Sequence, residues 1–131
     1  MTSNRQRYTL RSQERLKLRK QIETLFLNGE AFSVFPLKVV FLLSPAATQT
    51  SVCRCGFSVP KKKHKHAVKR NLLKRRIKEA WRLNKHSIES FVPNDKVLHC
   101  FFIYLDHEVK SFNAIQKSMI SIIERLSSQL N

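Results

Sequence analysis

Lys61-Lys-Lys-His-Lys-His-Ala-Val-Lys-Arg-Asn-Leu-Leu-Lys-Arg-Arg-Ile-Lys-Glu-Ala-Trp-Arg-Leu-Asn-Lys85 holds twelve of the chain's 25 Lys and Arg but only one acid. Wound as a helix over 68–85 at about 100° per residue, it gathers Lys74, Lys85, Lys78, Arg82 and Arg75 into one arc. Leu73, Ile77, Ala80 and Trp81 fill the neighbouring arc. One side packs and the other is a row of cations. Lys74, Lys78 and Arg82 also stack like charges at i, i+4 spacing, which costs an isolated helix a few tenths of a kcal/mol, roughly, per pair. A polyanionic partner offsets that cost, whereas an ordinary solvated face would mix the two signs.

Working outward from this helix, Val52 to Val59 alternates, with Cys53, Cys55, Phe57 and Val59 on one side, and Pro60 ends it. Leu37 to Leu43 is a second apolar strand, closed by Ser44-Pro45, and Ser44 to Ser51 is the turn between them. Val97 to Leu105 is a third strand, and a further one fits Ala31 to Phe35. Toward the N-terminus, Leu18, Ile22, Leu25 and Phe26 have helical spacing, and Gly29 stands where a left-handed C-cap is expected. Toward the C-terminus, Ser111 is positioned to cap a helix whose Phe112, Ile115, Met119, Ile122, Ile123, Leu126 and Leu130 form a core stripe. The order helix, strands, helix, strand, helix gives one α+β domain over 18–131. The polar stretch 1–17, with Arg5, Arg7, Arg11, Arg15 and Lys17, reads as a basic arm that orders on a partner.

A chain of 131 residues with 42% hydrophobic content can bury a modest core, and its net charge of +16 points first to nucleic acid rather than to a membrane surface. Three cysteines and the lack of a secretory h-region fit a cytoplasmic protein with reduced, buried thiols. Cys53-x-Cys55 with His64-x-His66 invites a zinc reading. Neighbouring same-side strand positions stand about 6.5 Å apart, too wide for two sulfurs on one zinc, so no protein-bound metal is expected. His64 and His66, set among Lys61, Lys62, Lys63 and Lys65, are expected to extend an anion-binding surface. Asp106 and Glu108 are the only close acidic pair and read as solvated or helix-capping. With no phosphate loop and no nucleophile-base set, no catalytic residue is assigned to this chain.

From Ala67-Val68-Lys69-Arg70-Asn71-Leu72-Leu73-Lys74-Arg75 to Lys78-Glu79-Ala80-Trp81-Arg82, preceded by Gly56-Phe57-Ser58-Val59-Pro60-Lys61-Lys62, the chain resembles the bacterial ribonuclease P protein subunit. The family pattern runs roughly Ala-Val-x-Arg-Asn-Arg-x-Lys-Arg-x-x-Arg-Glu. Leu72 replaces its third Arg-Asn-Arg residue and Lys78 a later Arg. The Lys61 to His66 turn is one residue longer than usual and lacks a common Gly, and Ile22 stands where an aromatic is frequent. The resemblance implies a two-layer α/β sandwich with a left-handed βαβ crossover. It implies the auxiliary protein subunit of an endoribonuclease whose RNA subunit, with Mg2+, performs the hydrolysis. Lys61, Lys62, Lys65, Arg70, Asn71, Lys74, Arg75, Lys78 and Arg82 would contact that catalytic RNA. Ile22, Phe26, Val40 and Phe41 would line a cleft for the 5′ leader of precursor tRNA, in a 1:1 complex with a monomeric protein. The alternative is a ribosomal protein or RNA chaperone without a role in cleavage; a protein-only nuclease using Asp106 and Glu108 is the rival enzyme.

Overall fold

The computed structural model describes residues 19–45 and 52–130. The arm expected at 1–17 and most of the turn expected at 44–51 lie outside them. Four strands, β1 (Glu30–Val34), β2 (Leu37–Pro45), β3 (Cys53–Ser58) and β4 (Lys96–Tyr104), form one sheet in the order β1-β2-β4-β3. Helices α1 (Arg19–Asn28), α2 (Ala67–Asn84), α3 (His86–Glu89) and α4 (Phe112–Leu130) complete the α+β fold. The short α3 is an addition to the expected order.

The pairing explains the sequence patterns. β1 and β2 form a hairpin across Phe35-Pro36, with Val34 opposite Leu37. β2 is central, antiparallel to both β1 and β4. It is covered on both faces, so its successive residues Val39, Val40 and Phe41 are all buried and the alternation of a half-exposed strand is absent. β3 is parallel to β4, and parallel neighbours cannot be joined by a tight turn. The chain between them is α2 and α3.

One face of the sheet carries Val39, Phe41, Cys53, Cys55, Leu98, Cys100, Phe102 and Tyr104 into the main core. Leu73, Ile77, Ala80 and Trp81 of α2 and Ile115, Met119, Ile122, Ile123 and Leu126 of α4 close that core, as their helical spacing predicts. The Trp81 ring lies 5.3 Å from Phe102. Ser111 Oγ accepts the Ala114 N–H at 3.2 Å, the predicted cap of α4. The other face is covered in part by α1, where Leu25 and Val40 are buried among Ile22, Leu42, Phe101 and Ile103.

Gly29 is not the left-handed cap its position suggested, since no glycine among the described residues has a positive φ. Its role is closeness. The Gly29 N–H donates to Leu25 O at 2.8 Å, and a Cβ there would lie 2.5 Å from that oxygen and 2.7 Å from Phe41 O. Absence of a side chain lets the end of α1 sit on β2. Gly29→Ala is therefore expected to cost about 1–3 kcal/mol as an overpacking change. Urea unfolding followed by Trp81 fluorescence measures it, and an unchanged midpoint would show that α1 can lift off β2 freely.

Candidate nucleic-acid interface

α2 packs by Leu73, Ile77, Ala80 and Trp81 and presents the opposite side outward. Asn71, Arg75 and Lys78 are exposed there, Lys74 is half-buried on its flank, and Lys61, Lys62 and Lys65 are exposed on the turn before the helix. These seven predicted contact residues thus lie on the outward side of α2 or on the turn before it, whereas Lys69, also exposed, stands on the flank of α2 that faces the loop after β4. The remaining cations of the segment have structural partners. Arg82 makes a two-point ion pair with Glu79, its Nε donating to Oε1 at 3.0 Å, and this hydrogen bonding holds the Glu79 carboxyl below its ordinary value. Arg70 Nη1 donates to His64 O at 3.0 Å and Lys65 O at 2.7 Å, bracing the turn, so only part of its guanidinium faces outward. Lys85, placed by the helical wheel in the exposed arc, is 5% exposed, because the chain turns into α3 there and folds over it. His64 also departs from its expected role. It is 4% exposed, with Nε2 2.8 Å from Asp106 O and its ring against Tyr104, so it pins two loops rather than facing an anion.

The cleft residues separate by strand alternation. Val40 faces α1, and Ile22 packs beside it. Phe26 is 48% exposed and meets Phe101 edge to face, with ring centroids 5.3 Å apart. Phe41, one position from Val40, necessarily points to the opposite face, where it packs 5.9 Å from Phe32 in the main core. It therefore does not line the cleft. Register supplies what the sequence reading missed. Val40 pairs with Phe101, Lys38 with Ile103 and Leu42 with His99, while β3 sets Arg54 beside His99. Phe101, Ile103, His99, Lys38 and Arg54 thus share the face with Val40. Period-two spacing in Val97 to Leu105 could have grouped His99, Phe101 and Ile103, but nothing local could add Arg54. Burial, and then the Arg54 charge, holds the His99 imidazole below its ordinary pKa, so it presents a neutral hydrogen-bonding ring.

The family model described as Ribonuclease P matches residues 10–127. The chain belongs to the ribonuclease P protein family. The ribonuclease P protein component of Porphyromonas gingivalis strain W83 is 33% identical over 124 residues, covering 94% of this chain and 90% of that protein. That of Picosynechococcus sp. is 37% identical over 73 residues, 56% of this chain and 60% of its own. Among solved structures, the Thermotoga maritima ribonuclease P protein superposes with a TM-score of 0.65 at 26% identity, over 86% of this chain and 96% of that one. The Staphylococcus aureus protein gives 0.67 at 21%, over 90% and 98%, a likeness of fold. The family is that of the protein component of ribonuclease P, an endoribonuclease of tRNA processing.

In this ribonuclease P family member the one close acidic pair is built into a loop. Asp106, expected to be solvated or helix-capping, is nearly buried: its Oδ1 accepts the Glu108 N–H at 3.1 Å and its Oδ2 lies 3.4 Å from Lys110 Nζ. Lys110 also approaches Glu108 at 3.8 Å. The three thiols are buried, with Cys55 beside Cys100 in the parallel register, and burial first, then its two neighbours, pushes the Cys100 thiol well up. The Glu108 N–H, opposed by burial and aided by Lys110, holds the Asp106 carboxyl below its ordinary value of 3.8. Its stabilising contribution is therefore complete above that value and is lost as pH falls through the lower folded value. Thermal melts from about pH 5 downward should show Asp106→Asn losing stability less steeply with acid than the parent chain; parallel curves would mean that Asp106 titrates as it does unfolded.

Proposed function

We propose that this chain binds the catalytic RNA of ribonuclease P through the exposed face of α2 and the turn before it, and holds the 5′ leader of precursor tRNA against the α1 face of the sheet. The reading is carried by one observation: the two surfaces differ in kind. Lys61, Lys62, Lys65, Lys74, Arg75 and Lys78 make a nearly acid-free cationic strip, suited to the phosphates of a folded RNA. Asn71, exposed among them, adds an amide that can both donate and accept hydrogen bonds. The cleft offers an aromatic edge at exposed Phe26 and half-buried Phe101, an apolar floor at Val40 and Ile22, and cations at Arg54 and Lys38, the combination that holds a single strand by stacking and charge. In this reading the magnesium ions of hydrolysis belong to the RNA. The acids that a protein-only nuclease would need are engaged with Lys110 and the loop backbone. The working complex is one protein with one RNA, in the cytoplasm.

Cleavage of precursor tRNA by the protein alone, the cognate RNA alone and the two together at low magnesium tests the reading, with activity expected only for the pair under these conditions. A protein that binds RNA without raising cleavage would instead fit a ribosomal protein or chaperone. Binding to the catalytic RNA should fall by about 10³ to 10⁵ between about 50 and 200 mM salt if about six to ten phosphates are contacted. The joint reversal Lys74→Glu, Arg75→Glu and Lys78→Glu should abolish assembly with the circular dichroism spectrum retained. Phe26→Ala and Phe101→Ala should each weaken precursor binding by about 1–3 kcal/mol while sparing leaderless mature tRNA. Equal losses for the two RNAs in a folded variant would remove the leader from this cleft.

A further inference from the structure

β2 outruns its edge partner. β1 begins with Glu30 opposite Phe41, whereas β2 continues from Leu42 to Pro45 beside β4 alone. In an antiparallel pair every second residue turns its N–H and C=O toward a given neighbour, so beyond Phe41 the outer side of β2 carries backbone groups with no strand partner among the described residues. The last turn of α4 stands beside this open edge, and the two wall a cavity of about 340 Å³ lined by Glu30, Phe41, Leu42, Leu43, Gln129 and Leu130. None of these lining residues is Lys or Arg, in a chain whose net charge is +16.

Three kinds of group meet in it. Phe41 is buried and Leu42, Leu43 and Leu130 are half-buried, which gives apolar walls. The Glu30 carboxylate and the Gln129 amide are exposed and are not engaged with another described residue. The third is the open backbone edge of β2. Apolar walls with a few convergent polar groups suit a small planar ligand at this volume. A carboxylate only accepts hydrogen bonds, through two oxygens side by side. Among the RNA bases guanine alone offers two adjacent donors, N1–H and N2–H, on an edge that also carries an acceptor, O6. Adenine and cytosine set an acceptor next to the amino group, and uracil sets one N–H between two carbonyls. Glu30 matches the two guanine donors, and a β2 backbone N–H or the Gln129 amide matches O6. With no cation in the wall, the base and not the phosphate is the part selected.

We propose that this cavity holds one unstacked guanine base of an RNA strand, with Glu30 accepting from N1–H and N2–H, the open edge of β2 and Gln129 meeting O6, and Leu42, Leu43 and Leu130 flanking the ring. The choice of RNA as the source rests on the function proposed above; the guanine pocket itself does not. GMP, IMP and AMP are the probes, titrated into the full chain and followed by amide resonances. They carry the same phosphate, so differences among them read the base alone. GMP is expected to give saturable shifts at residues 30, 42–43 and 129–130. IMP, which lacks the amino group at N2, should bind about tenfold more weakly, and AMP should leave these resonances unmoved. Equal shifts from GMP and AMP, or equal affinities for GMP and IMP, would overturn the pocket in the parent chain itself. Glu30→Gln should remove the difference between GMP and AMP while Glu23→Gln on α1 keeps it; a Glu30→Gln chain that retains the difference would also overturn the assignment. For the source, oligouridine carrying one central guanosine should bind the parent chain more tightly than oligouridine of the same length, and Glu30→Gln should erase the gain. GMP binding without that gain would overturn RNA as the source. GMP binding with the gain but with no support of precursor cleavage would leave the pocket standing and remove the ribonuclease P reading, and support of cleavage without GMP binding would do the opposite.

Discussion

The parallel pairing of β3 with β4 constrains most of the molecule. Two parallel neighbours need a long crossover, and here α2 supplies it, crossing the core face of the sheet. To lie there α2 must give one side to Leu73, Ile77, Ala80 and Trp81, against Phe102 and α4. The opposite side is then committed to solvent for the length of the helix. A stack of like charges is tolerable on it because apolar packing, and not the helix's own charge pattern, stabilises the element. The core and the cationic surface are two sides of one helix.

The sheet divides the two candidate surfaces in the same way. Because side chains alternate, the strands that bury Phe41, Cys100 and Phe102 under α2 and α4 turn Val40, Phe101 and His99 toward α1. α1 covers this second face only in part, and Gly29 lets its end approach β2 closely enough for Leu25 to be buried while Phe26 stays at the edge. A groove with an aromatic lip follows from a short helix laid on a wider sheet.

The charges of the 61–85 segment are not equivalent. Arg70 braces a turn, Arg76 Nη1 donates to Lys110 O, Arg82 pairs with Glu79, and Lys63 reaches Leu105 O. The bonds from Lys63 and Arg76 hold the turn and α2 against the loop after β4. Lys61, Lys62, Lys65, Lys69, Lys78 and Arg75 stand exposed on the backbone that these bonds brace. The same network removes His64 from the surface, although its neighbours in sequence are exposed.

The α+β class, the strands, the core stripes of α2 and α4 and the cationic face were legible in the chain itself, because periodicity near 3.6 or 2 records which side of each element is buried. The motif from Ala67 to Glu79 carried the family. Choice among chemically similar neighbours required the tertiary structure. Val40 and Phe41 read alike in an apolar run, and only the layers above and below β2 assign one to the cleft and the other to the core. Lys85 and Lys78 share a helical arc, but α3 buries the first. His64, polar in sequence, becomes structural because it meets a loop more than forty positions away, and Asp106 because its carboxylate is taken up by Glu108 N–H and Lys110 within its own loop. Arg54 and His99 become neighbours only through the register of parallel strands. Local sequence fixes periodicity and charge, whereas contacts between distant segments decide which polar groups are consumed by the fold and which remain to bind.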